Sequence, residues 1–211
     1  MPDRTRLESH TRKALRRLRR SELPGETVEL ARYLIGKTLV HDLADGRVSG
    51  RIAETEAYPI GDAAAHAFRG ETARNRSLFL EKGHCYVYFA YGSCWMMNIS
   101  SEEAGVGAGV LIRALEPIDG VEIMERNRGT SRRTDLTRGP GRLAEAMCIN
   151  KSLDGLDLCS RHSPLWLAAP VQPTGDIGVT TRIGLSREAH RQLRFYERAN
   201  PFVSGPKSVL I

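Results

Sequence analysis

Between positions 51 and 113 the chain sets out one acid, several flat rings, an amide and a fixed cation, each near the end of a short apolar run. Glu56 and Tyr58 stand two apart in Arg51-Ile-Ala-Glu-Thr-Glu-Ala-Tyr58, and His66, Tyr86, Tyr88, the pair Tyr91-Gly92, Asn98 and Arg113 follow. A carboxylate can take a proton from water and stabilise positive charge that develops beside it. Ring faces can stack on a planar heterocycle, for ~1–3 kcal/mol per base. Asn98 interrupts an apolar strand, where a buried amide needs several partners. Arg113, between Ile112 and Ala114, is costly to bury without an anion, and Glu56 is its economical partner. The set suits a pocket that grips an aromatic base and hydrolyses the bond holding it.

Each residue also has a plainer reading. A glutamate in a strand such as that of Glu56 usually faces solvent, and the tyrosines could be core packing with a bonded hydroxyl. An aromatic at a hairpin tip often folds back onto a cross-strand partner. Tyr91 could instead act as a wedge, since a ring on a stiff, narrow element can enter a stack of bases. It is the convergence of the set that argues for a site.

The elements that must carry these residues follow from pattern. Thr27 is read as the cap of a helix through Ile35, with Leu30, Ala31, Leu34 and Ile35 on one face and Gly36 as its stop. Residues 37–43 and 47–58 read as a hairpin around Ala44-Asp45-Gly46. The stretch 59–83 is long and polar, with at most short helices, and loops of that length are usually functional or disordered. Residues 84–90 and 94–100 form a second hairpin turning at Tyr91-Gly92, and a loop with Gly105, Gly107 and Gly109 leads into the apolar strand 110–115. Residues 118–126 and 141–149 have helical periodicity, the latter after Gly139-Pro140, and 165–168 and 179–183 read as strands. Within 54–58, strand alternation puts Glu54, Glu56 and Tyr58 on one side. The order of elements is not βαβ, so the fold class is α+β: one domain with a curved, mainly antiparallel sheet, flanking helices and a protruding β-hairpin.

Composition sets the outer bounds. A length of 211 residues allows one sizeable core, and 41% hydrophobic with 27% charged residues is ordinary for a soluble protein. No apolar run approaches a membrane span and no signal-peptide core opens the chain, so an intracellular protein with no membrane partner is expected. The four cysteines, Cys85, Cys94, Cys148 and Cys159, have no zinc-type spacing, and reduced thiols are expected. The six histidines are scattered, and no metal site is expected. Residues 1–20 hold eight cations (Arg4, Arg6, Arg12, Lys13, Arg16, Arg17, Arg19, Arg20) against Asp3 and Glu8, which leaves 23 basic and 23 acidic groups in the rest. Residues 1–22 therefore read as a basic arm, helical or disordered, ahead of a domain over 23–211; such an arm can bind polyanions by counterion release.

Over roughly residues 27 to 204 the chain resembles the alkyladenine (3-methyladenine) DNA glycosylases of the alkylpurine-excising type. The likeness rests on Glu54-Thr-Glu-Ala-Tyr58, His66-Ala-Phe-Arg-Gly70, Thr72-Ala-Arg-Asn75, Tyr86-Val-Tyr-Phe-Ala-Tyr-Gly92 and Met97-Asn-Ile-Ser100. It continues through Leu111-Ile-Arg-Ala-Leu-Glu-Pro117, Gly139-Pro-Gly-Arg-Leu143, Ile149-Asn-Lys-Ser152 and Arg182-Ile-Gly184. The resemblance implies a compact monomer that uses no metal or organic cofactor and acts on double-stranded DNA containing damaged purines. It implies that Glu56 is the general base, that Arg113 helps hold the attacking water, and that Tyr91 fills the gap left by a flipped nucleotide. Tyr58, His66 and Tyr88 would wall the extruded base, with His66 also offering its backbone amide, and Asn98 would crowd out the 2-amino group of guanine. A bacterial host would place the protein in the cytoplasm at the nucleoid, a eukaryotic host in the nucleus.

Two positions depart from the family pattern. Ala73 stands where a proline is usual, which should relax that loop. Gly92-Ser93-Cys94 stands where Gly-Met is usual, which makes the wedge tip smaller and more polar. The rival from another class is a catalytically silent protein that only binds damaged DNA; the presence of Glu56 and Arg113 speaks against it, and a turnover assay decides.

Overall fold

A computed structural model describes residues 15–206 of the chain. Its spine is one long strand, β2 (Gly46–Tyr58), entered from β1 (Thr38–Leu43) through the two-residue turn Ala44-Asp45, with Leu43 opposite Gly46. Gly46 sits at φ +142°, where a side chain would strain the backbone. From Val48 to Ala57 every residue of β2 is buried, so both of its faces are covered. That is why its sequence does not show a clean polar alternation.

The sheet is built outward from this spine. One edge of β2 pairs with β5 (Gly109–Asp119), which pairs with β4 (Cys94–Ser100), which pairs with β3 (Cys85–Ala90). The other edge takes β1 along its first half and β8 (Arg194–Glu197) along its second; β6 (Leu165–Ala168) lies on β1, and β7 (Ile177–Thr180) on β8. Every strand pair is antiparallel. Register shifts along β2 and β5, at Ser49/Gly50, Ile52/Glu54 and Glu54/Thr55, bend the spine where it reaches the candidate residues. The result is a single domain around a curled antiparallel sheet with a few helices, the α+β arrangement that the pattern implied.

Helix α1 (Thr27–Leu34) lays Leu30, Ala31 and Leu34 on the sheet, all fully buried, at ~1.5–3 kcal/mol for each leucine. Its cap is Glu26, whose carboxylate accepts from the Glu29 amide at 2.8 Å; Thr27, expected to cap, is instead the first helical residue, and its hydroxyl goes to Glu102. The short helices α2 (Val121–Arg128), α3 (Arg133–Leu136) and α4 (Pro140–Ala146) pack together, and α4 rests on β4 and β5. Ile118, expected in a helix, belongs to β5, because Gly120 at φ +70° makes the break two residues later. The helix expected over 141–149 ends at Ala146.

The strand expected over 179–183 stops at Thr180, which frees Arg182 and Ile183 for the site, and β8 was not expected at all. The stretch 59–83 has one 3₁₀ turn, Arg76–Phe79, as anticipated.

The arm expected over residues 1–22 falls outside the described residues as far as 14, but from 15 onward it belongs to the body. The Leu18 amide donates to Leu167 O at 2.9 Å, and Ala169 donates to Arg16 O at 2.8 Å. Leu18 is fully buried, and the Arg17 guanidinium lies 4.2 Å over the Trp166 ring. None of the helices among the described residues is long and apolar enough to cross a membrane.

Candidate active site

The last turn of β2, the β3–β4 hairpin, β5 and the loops around residues 64–67 and 183–185 converge on one cavity of about 140 Å³. That is below the ~300–1,000 Å³ of ordinary small-molecule sites and suits a single flat ring system. All seven residues to which the resemblance gave a role (Glu56, Tyr58, His66, Tyr88, Tyr91, Asn98 and Arg113) line it, together with Tyr86.

Glu56 does not face solvent. Both Glu54 and Glu56 are completely buried, on the same side of β2, and Arg113 from β5 reaches the two of them. The Glu56 Oε1 atom accepts from the Ile183 amide at 2.7 Å and lies 3.2 Å from Arg113 Nη1. Among the described residues its Oε2 accepts only the Tyr58 hydroxyl, at 2.9 Å, which leaves an acceptor position on that oxygen. Burial works against the charge of Arg113, but the Glu56 and Glu54 carboxylates outweigh it and raise the guanidinium pKa. Burial, with the neighbouring Glu56 charge, also drives the Tyr58 hydroxyl far above the usual phenol range, so it stays a donor.

The rings form a connected wall. His66 meets Tyr88 edge to face with centroids 4.4 Å apart, and Tyr86 lies near-parallel to Tyr88 at 5.4 Å. Tyr86 is fully buried and its hydroxyl sits 3.0 Å from His66 Nδ1, so it orients the imidazole from behind. Burial, helped by nearby Arg74, lowers the His66 pKa and keeps the ring neutral. Burial raises Tyr86 to about 12 and lifts Tyr88 as well. The wall is therefore uncharged at neutral pH, and Glu56 supplies the negative charge.

The hairpin has the three-residue loop Tyr91–Ser93, with Ala90 opposite Cys94, and this register puts Asn98 directly across from Tyr86. Tyr91 is 84% exposed and held at φ +52°, so the folded-back alternative does not apply. Asn98 is buried, and its amide nitrogen has no hydrogen-bond partner among the described residues. The loop with Ala73 is held without a proline. Asn75 accepts from the Thr72 amide at 2.6 Å and hydroxyl at 2.9 Å, and donates to His66 O at 2.9 Å and Gly70 O at 3.0 Å. These bonds pin the backbone that carries His66.

Several residues at the site were not singled out from sequence. Arg182, buried, lies 4.5 Å over the Tyr58 ring, donates to Ala57 O at 3.0 Å and pairs with buried Asp62 at 2.6 Å. Ile183 gives Glu56 its backbone donor, and Glu54 anchors Arg113. Only the motif Arg182-Ile-Gly184 and the acid two before Glu56 could have signalled them. The four cysteines are free, and among the described residues no cluster of His, Cys, Asp or Glu could hold a metal.

A buried carboxylate paired with an arginine thus lies at the foot of an aromatic slot, a setting in keeping with a hydrolase of N-glycosyl bonds. Residues 21–201 match the family model of methylpurine-DNA glycosylases. The chain is 66% identical to a protein of Mesorhizobium japonicum over 90% of this chain and 91% of that one. It is 53% identical to one of Paraburkholderia phytofirmans, over 92% and 91%, and 46% identical to one of Chlorobium phaeovibrioides, over 84% and 91%. Each of these relatives bears the name "Putative 3-methyladenine DNA glycosylase". The chain belongs to the methylpurine-DNA glycosylase family.

Proposed function

We propose that this DNA glycosylase rotates alkylated or deaminated purines, 3-methyladenine among them, out of duplex DNA and hydrolyses the glycosidic bond with water activated by Glu56. Extrusion costs a few kcal/mol, least at damaged pairs. Tyr91, projecting from the hairpin tip, takes the vacated place in the stack. The base enters the slot between Tyr58 and the His66–Tyr88 wall, where a cationic alkylpurine is attracted both by the ring faces and by Glu56.

As the C1′–N bond breaks, its electron pair leaves with the purine and positive charge builds on the sugar. Water bound at the open position of Glu56 Oε2 attacks C1′ and gives its proton to that carboxylate, which also stabilises the sugar's charge. The products are an abasic site and the free base. Among the described residues no lysine lines the cavity, so no Schiff-base strand cleavage is expected to follow.

The observation that carries this reading is the setting of Glu56. It is a fully buried carboxylate whose Oε1 is occupied by Ile183 and Arg113, while Oε2 keeps room for water. Glu56→Gln keeps the shape but not the base. Single-turnover excision from duplexes carrying 3-methyladenine, 7-methylguanine, hypoxanthine or ethenoadenine should fall ~10²–10⁴-fold with binding retained. A rate near that of the unaltered protein would sink the mechanism.

A further inference from the structure

We infer that Glu54 is a positioning residue for base excision, acting through Arg113 to fix the carboxylate of Glu56. This rests on Glu56 being the base.

Arg113 spends all three of its nitrogens. Nε donates to Glu54 Oε1 at 2.9 Å, Nη2 to Ser204 Oγ at 3.2 Å, and Nη1 lies 3.2 Å from Glu56 Oε1. The contacts to Glu54 and Glu56 are both ion pairs, and those to Glu54 and Ser204 are also hydrogen bonds that define the plane of the guanidinium. A planar fork held at two corners presents its third nitrogen in one direction only.

Glu54 is itself over-determined. Besides Arg113 it accepts from Arg194 Nε at 2.6 Å, from the Ser204 amide at 2.6 Å and from the Ser204 hydroxyl at 3.0 Å. Arg194 Nη2 closes the ring by donating to Ser204 O at 2.6 Å. Two carboxylates and two guanidiniums thus form a buried, charge-balanced quartet that joins β2, β5, β8 and the segment around Ser204. Such bonds are stronger than neutral ones, and removing one partner strands the rest.

The charge balance has a functional side. Were Glu54 absent, Arg113 would have Glu56 as its sole carboxylate and would be free to swing onto it, towards Oε2 as well as Oε1. That movement would occupy the acceptor position that water needs. Glu54 holds the guanidinium back, on the Oε1 side, and so keeps Oε2 open.

The test is a double-mutant cycle with Glu54→Gln and Arg113→Gln, read as single-turnover excision at saturating enzyme, with Kd for an abasic-site analogue duplex and Tm measured in parallel. Each single variant unbalances the quartet by one charge; the double variant restores balance, so it guards against a loss that is only folding. Glu54→Gln should lower the saturated rate about tenfold or more while Kd stays within about twofold, and should cost nothing further in the Arg113→Gln background. Glu54→Asp, which keeps the charge, should recover part of the rate. A Glu54→Gln rate within about twofold of the unaltered protein, or losses that multiply in the double variant, would overturn the inference. Full activity of Glu56→Gln would instead remove the underlying mechanism, a separate outcome.

Discussion

Asn98 keeps an amide nitrogen buried and without a partner among the described residues at the wall of the cavity, a state that costs ~1–3 kcal/mol in a folded protein. A polar group left open in this way favours a bound ring whose edge can accept and penalises one that presents another donor. Guanine differs from hypoxanthine only by its 2-amino group, which is such a donor. Asn98→Ala should therefore raise excision of undamaged guanine relative to hypoxanthine, roughly five- to a hundredfold. Competing the two bases in otherwise identical duplexes measures this; an unchanged ratio would place the discrimination elsewhere. Arg113 could be singled out from sequence because a guanidinium is costly to bury, and Glu56 as its economical partner, whereas Glu54 had no more than its place two before Glu56 to signal its role. Its partners Arg194 and Ser204 lie 140 and 150 residues away, and no local pattern announces such a meeting.

The hairpin β3–β4 is the element whose form was most fully legible in the residues. Tyr86 and Tyr88 alternate with Val87 and Phe89, the turn falls at Tyr91-Gly92 as read, and its three-residue loop sets Asn98 opposite Tyr86. β8 was not legible for the opposite reason. Arg194 and Glu197 are buried there by ion pairs to Glu54 and Arg51, so a core strand carries charged residues at both ends. β2 hid its orientation because both faces are covered, and its bulges are a product of pairing that no period-2 pattern encodes.

The hairpin also makes the wedge testable. A tyrosine at φ +52° is held in a region that is unfavourable for a side chain, so the turn presents the ring outward at a backbone cost. Tyr91→Ala should weaken capture of the flipped nucleotide by ~1–3 kcal/mol, one stacking contact. The loss should be larger for a lesion in duplex than in single-stranded DNA, because only the duplex has a stack to fill. Equal losses in both would remove the wedge.

At the scale of the whole molecule, charge and the sheet edge divide seven of the eight N-terminal cations into two groups, with exposed Arg19 standing apart. Arg16, Arg17 and Arg20 are tied to the body, to Glu22 at 2.9 Å, to Ser160 O at 2.7 Å and to Asp157 at 2.7 Å. Arg4, Arg6, Arg12 and Lys13 lie outside the described residues. A cation already committed to a carboxylate or carbonyl releases little on meeting a phosphate, so salt-dependent DNA binding by this region should come from the second group. Removing residues 1–14 should weaken duplex binding and flatten log affinity against log salt by about 0.9 for each cation that meets a phosphate. The saturated single-turnover rate and the Tm should hold. Removing residues 1–20 should go further, because it strips the backbone bonds to Leu167 and Ala169 and removes buried Leu18, whose burial is worth ~1.5–3 kcal/mol by itself. Its Tm should drop, while its salt slope should change beyond that of the shorter deletion by no more than the share of exposed Arg19, about 0.9. Salt titrations and thermal melts of the two truncations separate these effects. An unchanged slope on removing residues 1–14 would mean that those four cations never reach the DNA.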